Sequence, residues 1–150
     1  MNLFEQVSED IKAAMLAKDK VRLQALRGTK KEFLEAKTAK GGDGTLTDET
    51  AIGILQKMIK QRKESAAIYA ARNRDELAAN ELAEVAVIEG YLPKPLPVEE
   101  LEGVIRDLIT QTGAQGPKDM GKVMGVASKT LVGKADGKLI SDVVKRLLLD

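Results

Sequence analysis

Three prolines at alternate positions, in Tyr91-Leu92-Pro93-Lys94-Pro95-Leu96-Pro97, constrain this chain more than any other stretch of its sequence. Proline carries no amide hydrogen, fixes its own φ and pushes the residue before it toward extended backbone, so no helix can run through such a segment. The stretch is expected to be extended and semi-rigid. It divides the 150 residues into a longer part, 1–92, and a shorter part, 98–150, with 93–97 as the connection. Both parts are small enough that their cores must be economical.

On both sides of the prolines the apolar residues recur at helical spacing. Leu3, Val7, Ile11 and Ala14 or Met15 mark a first helix that ends near Asp19. Asp19 is an N-cap for a second, carrying Val21, Leu23, Leu26, Phe33 and Leu34 and dissolving at Lys40-Gly41-Gly42-Asp43-Gly44, with Gly28 permitting a bend or close packing. Thr47 followed by Asp48 and Glu49 reads as a cap with acids in the first turn, where the helix dipole favours them. The third helix places Ile52, Leu55, Ile59, Ala66 and Tyr69 on one face and breaks near Arg74-Asp75, and a fourth carries Leu82, Val85, Ile88 and Leu92. Beyond the prolines, one helix carries Leu101, Val104, Ile105, Leu108 and Ile109 and ends near Gly113; a second runs from about Pro117 to Gly133; a third holds Leu139, Ile140, Val143, Val144, Leu147 and Leu148. No segment alternates as a strand does. The expected fold class is all-α, a helical N-terminal domain of four helices followed by a small three-helix tail domain.

Composition removes much of the usual chemistry. The chain has no cysteine and no histidine, so disulfides, thiolate nucleophiles, the common zinc sites and the usual catalytic triads are excluded. Net charge is +1, so an anionic partner must meet a local patch rather than a global field. Aromatics make up 3%, too few for a sheet that stacks single-stranded bases. No stretch approaches the roughly 20 apolar residues of a membrane span, and the start lacks the pattern of a secretion signal. The chain is expected to be cytoplasmic, with no membrane partner. Glu81, Glu84 and Glu89 lack the histidines of a helical carboxylate metal site, and Gly41-Gly42-Asp43-Gly44 lacks the Gly-Lys-Ser/Thr ending of a phosphate loop. No catalytic residue, metal ligand or cofactor is therefore assigned.

Two places carry charge in an unusual setting. In Pro117-Lys118-Asp119-Met120-Gly121-Lys122-Val123-Met124-Gly125-Val126-Ala127-Ser128-Lys129, the residues Met120, Val123, Met124, Ala127 and Leu131 form one helix face. Lys118, Gly121, Lys122, Gly125 and Lys129 gather on the other side. Glycine inside a helix costs about 1 kcal/mol relative to alanine. On an open face flanked by lysines, it would let a phosphate backbone come close while the ammonium groups release counterions. The competing reading is that the glycines permit packing against the other domain or the proline segment. Lys134 and Lys138, on the glycine-bounded turn Gly133-Lys134-Ala135-Asp136-Gly137-Lys138, extend the basic set. The second place is Arg62, which falls on the apolar stripe of the third helix. A charge there needs a partner, which Glu81 or Glu84 could supply; anion binding is the alternative.

Four stretches in order, Lys57-Met58-Ile59-Lys60-Gln61-Arg62-Lys63-Glu64-Ser65, Glu89-Gly90-Tyr91-Leu92-Pro93, Met120-Gly121-Lys122-Val123-Met124-Gly125 and Gly133-Lys134-Ala135-Asp136-Gly137, resemble the GatB/YqeY family in its stand-alone YqeY-like form. The similarity runs over essentially the whole chain. It implies a helical N-terminal domain with a three-helix tail, and a relation to the tail of the B subunit of the glutamine-dependent amidotransferase that acts on mischarged Glu-tRNA or Asp-tRNA. That tail resembles an RNA-contacting appendage. By the resemblance Gly121, Lys122 and Gly125 are the matching tail positions; Lys118, Lys129, Lys134 and Lys138 come from the helix-face argument alone.

Three functions compete on this reading. The first is a tRNA-binding accessory protein tied to tRNA-dependent amidation or aminoacylation, docking through backbone and shape, with no DNA expected. The second is a protein adaptor for an amidotransferase or an aminoacyl-tRNA synthetase. The third, implied by the family label, is a component of a carbon–nitrogen ligase with glutamine as amido-N-donor, although the chain offers no glutaminase nucleophile and no ATP site.

Overall fold

The computed structural model describes residues 1–149 and contains, among them, seven α-helices, one 3₁₀ turn and no strand. The fold class is all-α. The chain forms two compact units, Met1–Leu92 and Pro93–Asp150.

The first unit holds α1 (Leu3–Leu16), α2 (Lys20–Lys37), α3 (Asp48–Ala71) and α4 (Asp75–Glu89). Three of its helices start on a side-chain cap. Asn2 accepts from the amide of Glu5 at 2.8 Å, Asp19 from that of Arg22 at 3.1 Å, and Thr47 from that of Thr50 at 3.2 Å. Each bond satisfies one of the orphan amides of a first turn, a contribution of about 1 kcal/mol per cap. Asp48 also accepts from the amide of Leu3 at 3.0 Å, fixing the start of α1 against the start of α3. Val7, Leu26, Phe33, Leu55 and Ile88 are fully buried at the centre, each worth roughly 1.5–3 kcal/mol of transfer free energy.

Several apolar positions fall outside that core. Leu34 and Met15 are exposed, because a neighbour in sequence lies about 100° around the helix from the buried Phe33 or Ala14. In α4 the buried positions are Ala78, Glu84, Val85 and Ile88. Their face is centred roughly 100° from Leu82, which is exposed, while Glu84 is drawn inside. Leu92 lies past the end of α4 and packs against the core from there.

The second unit holds α5 (Val98–Thr112), α6 (Met120–Thr130) and α7 (Gly137–Leu149). Its core is built on Leu101, Ile105, Val123, Leu131 and Val144. Gly113 ends α5 at φ 70°, a left-handed conformation that glycine adopts without strain. The single helix expected from Pro117 is instead a 3₁₀ turn, Pro117–Asp119, followed by α6. Asp119 accepts from the amide of Gln115 at 2.9 Å and holds that tight entry, a common way for a helix to begin. The amide of Leu96 donates to the carbonyl of Lys134 at 2.9 Å, tying the proline segment to the α6–α7 turn. Arg146 of α7 pairs with Glu102 of α5. No described helix is long and apolar enough to cross a membrane.

Candidate functional site

The seven residues singled out in the tail are solvent-exposed in the second unit. Gly121, Lys122, Gly125 and Lys129 lie on the outer face of α6, while Val123 and Ala127 turn inward. Lys118 belongs to the 3₁₀ turn and not to α6, so its direction does not follow from the helix period. Lys134 sits on the α6–α7 turn, and Lys138 is the second residue of α7. None of the five lysines forms an ion pair with a described residue. A Cβ built on Gly121 or Gly125 would meet nothing within 4 Å. Packing within the unit therefore gives no reason for glycine at either position. The face combines bare backbone with uncompensated ammonium groups, an arrangement suited to an extended anion.

A second polar locus lies in the first unit. Arg62 reaches from α3 to Glu84 of α4, with Nη2 3.7 Å from Oε1. The Glu84 side chain is 7% exposed. Its burial pushes the carboxyl above the usual range, the Arg62 guanidinium pulls it back, and the charge of Glu81 adds to the rise. Arg62 Nε is buried and donates to no described acceptor. Gly28 of α2 makes room for the guanidinium, since a Cβ there would lie 3.3 Å from Arg62 Nη2. Around these groups is a cleft of about 420 Å³ that Gln24, Gln61, Ser65 and Glu81 also line. Periodicity pointed to Arg62 and to the pair of candidate partners; the cleft itself depends on how three helices meet and has no sequence signal.

Two further features were not legible in the sequence. Tyr91, just past α4, donates its hydroxyl to Asp10 of α1, and Arg22 of α2 approaches both, 3.4 Å from the hydroxyl and 3.8 Å from the carboxylate. Between α1 and α2 lies an apolar groove of about 470 Å³ lined by Ile11 and Leu34 and edged by Arg27, Lys30, Lys31, Glu35 and Thr38, with Lys31 and Glu35 4.0 Å apart. No group of three or more Asp or Glu residues that could hold a metal ion occurs among the described residues.

By class this is an all-helical protein with two separate cores and a basic, glycine-bearing helix in its second unit. The chain belongs to the YqeY-like protein family, whose model matches residues 4–148, and this family is related to the GatB tail. It is similar to the protein of Meyerozyma guilliermondii named altered inheritance of mitochondria protein 41, mitochondrial, with 36% identity over 130 residues, covering 83% of this chain and 66% of the relative. The protein of the same name from Vanderwaltozyma polyspora is 31% identical over 148 residues, 92% of this chain and 77% of the relative. That of Kluyveromyces lactis is 28% identical over 142 residues, 93% and 72%. The chain thus spans from 66% to 77% of the length of these relatives.

Proposed function

We propose that this protein is a tRNA-binding accessory factor linked to tRNA-dependent amidation or aminoacylation, with the outer face of α6 as its docking surface. The observation that carries the reading is the pair Gly121 and Gly125. Each costs about 1 kcal/mol of helix propensity, each is exposed, and neither is required by any neighbour within 4 Å. A helix surface without side chains at two successive turns admits a phosphate backbone to close range, and Lys122 and Lys129 supply the charge beside it. Lys118, Lys134 and Lys138 continue the basic surface into the flanking turns. The 3% aromatic content fits recognition by backbone and shape rather than by base stacking. The cytoplasm is taken as the compartment, while the fungal relatives carry the word mitochondrial in their names.

The test is binding of the purified protein to total tRNA and to a matched RNA duplex across a salt series. A preference for tRNA that weakens steeply with salt is expected, and Lys122→Glu with Lys129→Glu should lower the log–log salt slope by about two. Binding that is absent or insensitive to salt overturns the reading. The groove between α1 and α2 favours a second reading, an adaptor for an amidotransferase or a synthetase, because an apolar floor whose rim carries three basic residues against one acid suits an acidic amphipathic helix. A partner retained after ribonuclease treatment and lost on Leu34→Asp would support it. Carbon–nitrogen ligase activity would require such a partner to supply the catalytic groups.

A further inference from the structure

We infer that the cleft between α2, α3 and α4 is a binding site for a small molecule bearing a free ammonium group beside a carboxylate, the chemistry of an α-amino acid. The tail-based function leaves this cleft unused.

Of its charged groups Glu84 is held out of water and Arg62 largely so, yet the two are incompletely paired. Arg62 and Glu84 stand 3.7 Å apart, an ion pair too long for a good hydrogen bond. Arg62 Nε is buried without a described acceptor, although a buried donor left unmade costs about 1–3 kcal/mol. Glu84 is inside the protein with a second carboxylate, Glu81, close enough to raise its pKa further. A structural salt bridge alone would be expected to close to direct hydrogen bonds and to fill the surrounding space. Here a cleft of about 420 Å³ is open beside it, and Gly28 keeps a side chain away from the guanidinium.

A bound zwitterion completes this set. Its carboxylate accepts from the terminal N–H groups of Arg62, since guanidinium geometry suits a carboxylate. Its ammonium group donates to Glu84 and Glu81, offsetting the repulsion between them. The amide of Gln61 and the hydroxyl of Ser65 are neutral groups able to orient whatever side chain follows. Two carboxylates against one guanidinium leave the cleft with an excess negative charge, so a cationic side chain is favoured over an acidic one.

The probes are free lysine, free glutamate and Nα-acetyl-lysine, titrated into the full chain and followed by backbone amide shifts. Lysine is expected to perturb residues around Gly28, Arg62 and Ser65 saturably, while glutamate and the acetylated compound bind at least about tenfold more weakly, a difference of about 1.4 kcal/mol. Glu84→Gln should abolish the preference for the free ammonium. Should that variant fail to fold, Glu81→Gln, at the half-buried edge of the cleft, should weaken lysine binding by a similar factor. Equal binding of lysine and Nα-acetyl-lysine overturns the proposal. So does the absence of saturation by any of the three up to about 10 mM, where only affinities weaker than biological use remain.

Discussion

At Tyr91 a single hydroxyl joins the residue after α4 to α1 and α2, and its environment turns that contact into a pH-dependent one. Burial pushes the phenol well above its ordinary value of 10.0, the hydrogen bond to Asp10 and the charge of that carboxylate push in the same direction, and Arg22 opposes them. A group whose pKa is raised on folding lends stability that is complete below its unfolded pKa and disappears as pH climbs toward the folded one. Tyr91→Phe should therefore cost about 1 kcal/mol near neutral pH. The gap between wild type and variant should narrow as pH rises above about 10, where the unfolded chain ionises and the folded one does not. Urea denaturation of both proteins at matched pH values reads this directly, and comparing them cancels the lysines that titrate in the same window. A gap that stays constant into the alkaline range would show that the hydroxyl is not held in its neutral form by the fold.

On the scale of single helices, the proposed docking face of α6 would set stability against binding. With open space at the Cβ positions of Gly121 and Gly125, alanine at both should raise the stability of the second unit by about 1–2 kcal/mol. If the face receives a phosphate backbone, the same two methyl groups should weaken tRNA binding although no charge has changed. Thermal denaturation and RNA titration of Gly121→Ala with Gly125→Ala separate these effects; a stabilised variant that binds as wild type does would leave the lysines as the only contact. Much at this scale was legible from residue type and period. Asp19 and Thr47 cap because a short polar side chain precedes a run of apolar spacing, and Arg62 stood out because it fell on the stripe of Ile52, Leu55 and Ile59. Which acid answers it was not legible, since Glu81 and Glu84 differ only in the rotation of α4, and that rotation is set by packing that also leaves Leu82 in solvent. Spacing places Lys118 on α6, whereas in the structure it lies in a 3₁₀ turn, an entry at which Asp119 accepts from the Gln115 amide. The Asp10–Tyr91 bond spans 81 residues and has no periodicity to reveal it.

For the molecule as a whole, the two cores share no residue, and each must support its own unit. The second rests on ten buried residues, as many as the core cluster of the longer first unit, and a unit of this size has little stability to lose. Ile105 is fully buried in it, and Ile105→Ala removes methyl groups from a site that three helices enclose, at a cost of about 2–5 kcal/mol. The distribution of aromatic residues makes the result separable. The chain has no tryptophan, and both tyrosines, Tyr69 and Tyr91, lie in the first unit, so tyrosine fluorescence reports that unit while circular dichroism reports helices in both. In the variant, part of the helical signal should be lost at lower denaturant than in wild type, and the tyrosine transition should keep its midpoint. Coincident transitions that move together would mean that folding of the first unit depends on the second, and any loss of RNA binding by a tail variant would then have to be measured against the stability of the entire chain.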